Sequence, residues 1–143
     1  MIGSKVYIDT APFIYYLEKS ALYYDVSRSF FIKSKERKSE LFTSSVTVEE
    51  YCVFPLSKAD NQAVENFNLF LDGMNITVEA VDKKIALKAA ELRAKYSGFK
   101  ALDAIHLATA ILCNCTAFIT NDKQLRQITE IPVYTMDMLT NEL

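Results

Sequence analysis

The sequence predicts an α/β fold built on a mainly parallel sheet. Two observations carry this: short segments of β-formers alternate along the chain with longer segments of helical periodicity, and polar residues recur where the first kind gives way to the second. A chain of 143 residues, half hydrophobic, 12% aromatic and 24% charged, has the size and composition of one globular unit. Residues 1–143 are therefore read as a single domain.

Ser4 to Ile8 is short and rich in β-formers, and Asp9-Thr10-Ala11-Pro12 follows with helix-start chemistry, predicting a strand that runs into a helix over about 11–19. A second helix is expected over 25–37, where Phe30-Phe31-Ile32 marks a buried side. Residues 40–43 form a candidate strand. Ser45 to Glu50 opens a helix that Pro55 should end or kink, and Val64, Phe67, Phe70 and Leu71 give helical spacing to 61–71.

Ile76-Thr77-Val78 reads as a strand. Asp82 should cap a helix reaching about Tyr96, with Ile85, Ala89, Leu92 and Tyr96 on one face and Gly98 marking its end. Residues 101–113 are apolar nearly all round, as in a helix buried in the middle of a domain. A strand over 117–120, a short helix over 122–127 and an edge strand at 132–134 complete the pattern. Strands separated by helices imply a sheet covered on both faces through right-handed crossovers.

Several function classes fall away on composition. With three glycines, neither a P-loop nor a Gly-rich dinucleotide fingerprint can be assembled. The N-terminal residues lack the regions of a signal peptide, and the most apolar stretch is interrupted by Asp103 and His106 and is shorter than the roughly 20 residues that span a bilayer. These features predict a cytoplasmic protein away from membranes. Cys52, Cys113 and Cys115 read as buried reduced thiols, because one C-x-C and a single histidine are too few for structural zinc. Sixteen basic against 18 acidic residues do not describe a dedicated nucleic-acid binder. Local clusters at Lys33, Lys35, Arg37 and Lys38 and at Lys83, Lys84, Lys88, Arg93 and Lys95 read first as solvated helix faces.

The informative polar residues are those the pattern does not need. Asp103 stands on the apolar helix with His106 three residues on, sharing its face. An ionised carboxylate in a low-dielectric setting costs several kcal/mol or more unless paired or bound to metal, which makes Asp103 the sharpest clue. Asp9 and Asp122 follow predicted parallel strands, at the carboxyl ends where open α/β sheets place ligand sites. Glu50 is the fourth acid, on the first turns of its helix. Each has a bland explanation: Asp9 and Asp122 as N-caps, Thr47-x-x-Glu50 as a capping box, Asp103 as a first-turn acid. Together at one sheet edge they would repel one another unless a cation sat among them. Carboxylates favour Mg²⁺ or Mn²⁺, and the chemistry such a cluster supports is phosphodiester hydrolysis.

Val6-Tyr7-Ile8-Asp9-Thr10, Ser45-Val46-Thr47-Val48-Glu49-Glu50, Leu102 to Ala110 and Phe118-Ile119-Thr120-Asn121-Asp122 resemble, in order, the four acidic motifs of PIN domains. The acids stand 41, 53 and 19 residues apart, a spacing similar to that of VapC-type toxins of toxin–antitoxin pairs. The resemblance implies a Rossmann-like three-layer α/β/α sandwich and a metal-dependent endoribonuclease. Asp9, Glu50, Asp103 and Asp122 would form the catalytic quartet. Asp9, Asp103 and Asp122 would hold Mg²⁺ or Mn²⁺, with Glu50 orienting the nucleophilic water or holding a second metal. Thr10 and Thr120 would support the carboxylates. Glu50 is preferred to Glu49 because it completes the T-x-x-E pattern from Thr47. His106 is read as packed or supporting.

The same resemblance implies an RNA substrate, a homodimer and an antitoxin partner whose tail fills the acidic cleft through an Arg. Single-stranded or loop RNA is the expected target, with Tyr15, Tyr16 and Phe99 as candidate stacking partners that equally suit the core or a dimer contact. Three other readings remain: a housekeeping RNA-processing or DNA-directed nuclease of this family, a non-catalytic module of the same fold, and a phosphatase using Asp9 as nucleophile. The last usually wants an acid two residues later, where this chain has Ala11.

Overall fold

The computed structural model describes residues 2–142. Five parallel strands, β1 (Lys5–Ile8), β2 (Glu40–Ser44), β3 (Thr77–Glu79), β4 (Ala117–Thr120) and β5 (Val133–Thr135), form one sheet in the order β3-β2-β1-β4-β5. Between and after them lie α1 (Thr10–Leu17), α2 (Tyr24–Glu36), α3 (Ser45–Ser57), α4 (Asn61–Gly73), α5 (Lys83–Lys95), α6 (Ala101–Leu112) and α7 (Met136–Glu142), with a short 3₁₀ helix at Lys123–Gln127. The three-layer α/β/α expectation holds, and the sheet is parallel throughout.

Alternation along the strands divides the core in two. Val6 and Ile8 of β1, Leu41 of β2 and Ala117 and Ile119 of β4 face a cluster with Phe13 of α1, Phe30 and Phe31 of α2, Phe67 and Leu71 of α4, and Leu139 of α7. Tyr7 and Phe118 face the other side, where α5 and α6 supply Ile85, Leu92, Leu107 and Ala108. The register sets Tyr7 beside Phe118, and their rings stack with centroids 5.2 Å apart. β1 sits in the middle with Val6, Tyr7 and Ile8 all buried, which is why it reads as an unbroken apolar run.

Local chemistry fixes the helix starts. Asp9, Ser44, Asp60 and Asp82 each accept a hydrogen bond from a backbone N–H of the helix that follows. α3 runs through Pro55 to Ser57, two residues beyond the expected stop. Gly98 has φ +90°, a left-handed conformation open to glycine, and turns the chain between α5 and α6. The strand at 133–135 lies at the sheet edge as expected, whereas α7 directly after it was not foreseen. Phe99 is buried in the α5/α6 core, which removes it as a stacking partner for a base. Cys52 and Cys115 are buried, Cys113 is partly buried, and all three are free thiols. Among the described residues no helix is long and apolar enough to cross a membrane.

Candidate active site

The strand order reverses direction of growth at β1: β2 and β3 add on one side, β4 and β5 on the other. A crevice opens at such a switch point beyond the carboxyl ends of the strands, and this one lies between β1 and β4. Asp9 follows β1 immediately, and Asp122 follows β4 after Asn121. α3 and α6 start at the same edge and bring Glu50 and Asp103.

Asp9 is nearly buried and fully engaged. Its Oδ1 accepts from the Thr10 backbone N–H at 2.7 Å, and its Oδ2 accepts from the Thr120 hydroxyl at 2.7 Å. The N-cap role is therefore real, but it uses one oxygen, and the second ties β1 to β4. Asp122 also caps, accepting from the Gln124 N–H at 2.9 Å, while its own N–H donates to the Thr120 hydroxyl at 3.1 Å. Thr120 thus joins the two acids it was expected to support.

Glu50 is not a capping-box residue. The cap of α3 is Ser44, and Thr47 turns inward with its hydroxyl 2.7 Å from that of Thr43. Released from that role, Glu50 Oε1 accepts from the Thr10 hydroxyl at 2.8 Å and lies 2.6 Å from His106 Nε2. The His106 hydrogen bond, against the opposing effect of burial, holds the Glu50 carboxyl below the usual range. Glu49, the neighbour considered beside it, is exposed.

His106 is completely buried, with Nε2 also 3.3 Å from Asp9 Oδ1 and Nδ1 2.7 Å from the Tyr7 hydroxyl. Burial disfavours the imidazolium, but the Glu50 hydrogen bond and the charges of Asp9, Glu50 and Asp103 outweigh it and raise its pKa. Asp9, Glu50 and His106 each offer a ligand atom within 4.8 Å of the others. Asp103 and Asp122 stand outside that tight group. Asp103 nevertheless feels it: burial first, then the charges of Asp9 and Asp122 and a smaller effect of Glu50, push its carboxyl above the usual range, with His106 opposing.

The structure thus joins Asp9, Glu50, Thr10 and Thr120 directly and brings Asp103 and Asp122 into the same electrostatic field. The donor set is rich in carboxylate oxygen, which fits a hard divalent cation, and the mutual repulsion felt at Asp103 is what such a cation would relieve. Tyr7 is the residue sequence reasoning missed. Its only sequence signal is a polar tip in the middle of a buried strand.

A family model for the PIN domain matches residues 6–131, most of the chain. This protein belongs to the PIN domain family. Solved structures agree on the fold of this PIN domain. VapBC2 from Rickettsia felis, bound to a DNA fragment from its promoter, has a chain of 17% identity that superposes with a TM-score of 0.74, covering 92% of this chain and 98% of its own. A toxin–antitoxin complex from Klebsiella pneumoniae gives 22% identity and a TM-score of 0.68, covering 92% and 97%. VapC20 of Mycobacterium tuberculosis, described as a sarcin-ricin loop cleaving toxin, gives 12% and 0.70 over 89% and 98%. No curated protein matches the sequence significantly.

Proposed function

We propose that this PIN domain is a Mg²⁺- or Mn²⁺-dependent endoribonuclease and the toxin of a toxin–antitoxin pair. One observation carries the reading: acids from four parts of the chain share the switch-point edge, with Asp103 and Asp122 outside the tight Asp9, Glu50 and His106 group, and burial followed by the charges of Asp9 and Asp122 pushes Asp103 toward protonation, an arrangement that costs stability without a cation. Family membership and the toxin chains that share the fold support it.

In this reading Asp9, Asp103 and Asp122 hold the cation, which when bound stabilises charge on the scissile phosphate and the leaving oxygen. Thr120 keeps Asp9 and the Asp122 loop in register, and Thr10 supports Glu50. Glu50 orients the attacking water. An apolar groove lined by Ile14, Tyr51, Phe54 and Pro55 opens beside Glu50, with Phe54 65% exposed. We assign it to an antitoxin segment whose Arg pairs with the acids. The working form is a cytoplasmic homodimer.

Purified protein incubated with a mixed RNA pool and Mg²⁺ or Mn²⁺ tests this, beside EDTA and an Asp103→Asn variant. Cutting that needs both metal and Asp103 is the expected result. Cutting that survives Asp103→Asn overturns the site, and cutting that survives EDTA overturns the chemistry.

A further inference from the structure

Burying a histidine ring on an apolar helix calls for a reason, because a leucine would fill the same space without two polar nitrogens to satisfy. Here both nitrogens are used. Nε2 meets Glu50 Oε1 at 2.6 Å, and because a carboxylate only accepts, Nε2 carries the hydrogen. Nδ1 meets the Tyr7 hydroxyl at 2.7 Å. Burial raises the Tyr7 pKa and keeps that hydroxyl protonated, and the side chains of Ser44, Thr43 and Thr47 surround it.

Glu50 needs such a partner. Its side chain is long and part-exposed and without partners would sample several rotamers, while orienting a water demands one position. Thr10 from α1 and His106 from α6 grip the same oxygen from two elements, and Tyr7 fixes the ring from β1.

We propose that His106, oriented by Tyr7, is a positioning residue that fixes the Glu50 carboxylate for the reaction. This rests on the nuclease reading above. The contact joins β1, α6 and α3, so the geometry of Glu50 is set from the interior rather than by its own helix. His106 acts as hydrogen-bond donor to Glu50 and leaves cation binding to the aspartates.

The chain has one histidine, so its ring resonances in the metal-free protein at fixed pH are unambiguous. The Nε2 hydrogen is expected as a downfield, slowly exchanging signal that moves upfield in Glu50→Gln and stays in place in Asp122→Asn. In RNA cleavage with Mg²⁺, His106→Ala should lower kcat about 10- to 100-fold with KM within about twofold. His106→Gln, whose amide N–H can reach the Nε2 position, should recover activity to within about tenfold of the native protein. Tyr7→Phe keeps the ring's bulk and should lower kcat less than His106→Ala. A His106→Ala protein with native kcat, a ring signal indifferent to Glu50→Gln, or loss of the Nε2 hydrogen on adding Mg²⁺ would each overturn the proposal, the last by making His106 a ligand. If the native protein cuts no RNA, the nuclease reading falls, and the ring signal alone decides whether His106 holds Glu50.

Discussion

The Thr120 hydroxyl donates to Asp9 Oδ2 at 2.7 Å, joining the ends of two neighbouring strands that lie 111 residues apart in the chain. The Thr120 hydroxyl oxygen in turn accepts from the Asp122 N–H, so one buried hydroxyl aligns two acids of the site. Thr120→Val keeps the shape and strands both partners. It should cost about 1–3 kcal/mol of stability and lower RNA cleavage about 10- to 100-fold. Denaturant unfolding and initial rates check the two effects separately, and native values for both would show that Thr120 only fills space.

Asp103 makes a prediction about pH. Its carboxyl is raised by burial and then by Asp9 and Asp122, so the folded chain binds the proton more tightly than the unfolded chain. Stability from this group is present in acid and is lost as pH rises from the ordinary aspartate value through the higher folded one. Asp103→Asn removes that loss. The metal-free variant should therefore melt above the native protein at pH 7, with the difference shrinking as pH falls below about 4, while cleavage disappears. Thermal melts across that range decide it, and a variant less stable at neutral pH would mean that the acid is well compensated in the folded chain.

Phe13 sits where α1 leaves the site and contacts the rings of Phe31, Phe67 and Phe70. It is fully buried. Phe13→Ala should destabilise by about 3–5 kcal/mol. A loss below about 1 kcal/mol in urea unfolding would show that the cluster collapses around the gap.

The buried thiols of Cys52 and Cys115 should be inert in the folded state. Burial pushes Cys115 up to about 12 and raises Cys52 and Cys113 as well. Since the thiolate is the nucleophile, alkylation at pH 8 should begin at the partly buried Cys113 and reach Cys52 and Cys115 only on unfolding. Mass spectrometry of timed samples checks the order, and equal rates at all three would contradict it.

The strands and helices were legible because each carries its own period, and the caps at Asp9 and Asp82 announced two helices locally. α7 was not, because seven residues beginning straight after β5 place only Met136 and Leu139 in the core. Pro55 marked an end or kink near its own position, and α3 closes two residues beyond it, at Ser57. The candidate acids could be named from their places after strands and at helix starts. What they do with their side chains could not, since the partners of Glu50 stand 40 and 56 residues away. The same distance explains His106: its spacing from Asp103 was visible, but the Tyr7 contact spans 99 residues and exists only once β1 and α6 are packed.

The central claim is that water, directed by this acidic cluster, hydrolyses RNA. The most direct test is the chemistry of the new ends left by purified protein and Mg²⁺ on a defined RNA, with EDTA and Asp103→Asn in parallel. Attack by water at phosphorus predicts linear terminal phosphates that form only with metal and Asp103 present. Ends carrying a 2′,3′-cyclic phosphate would make the RNA's own 2′-hydroxyl the nucleophile and would contradict the account.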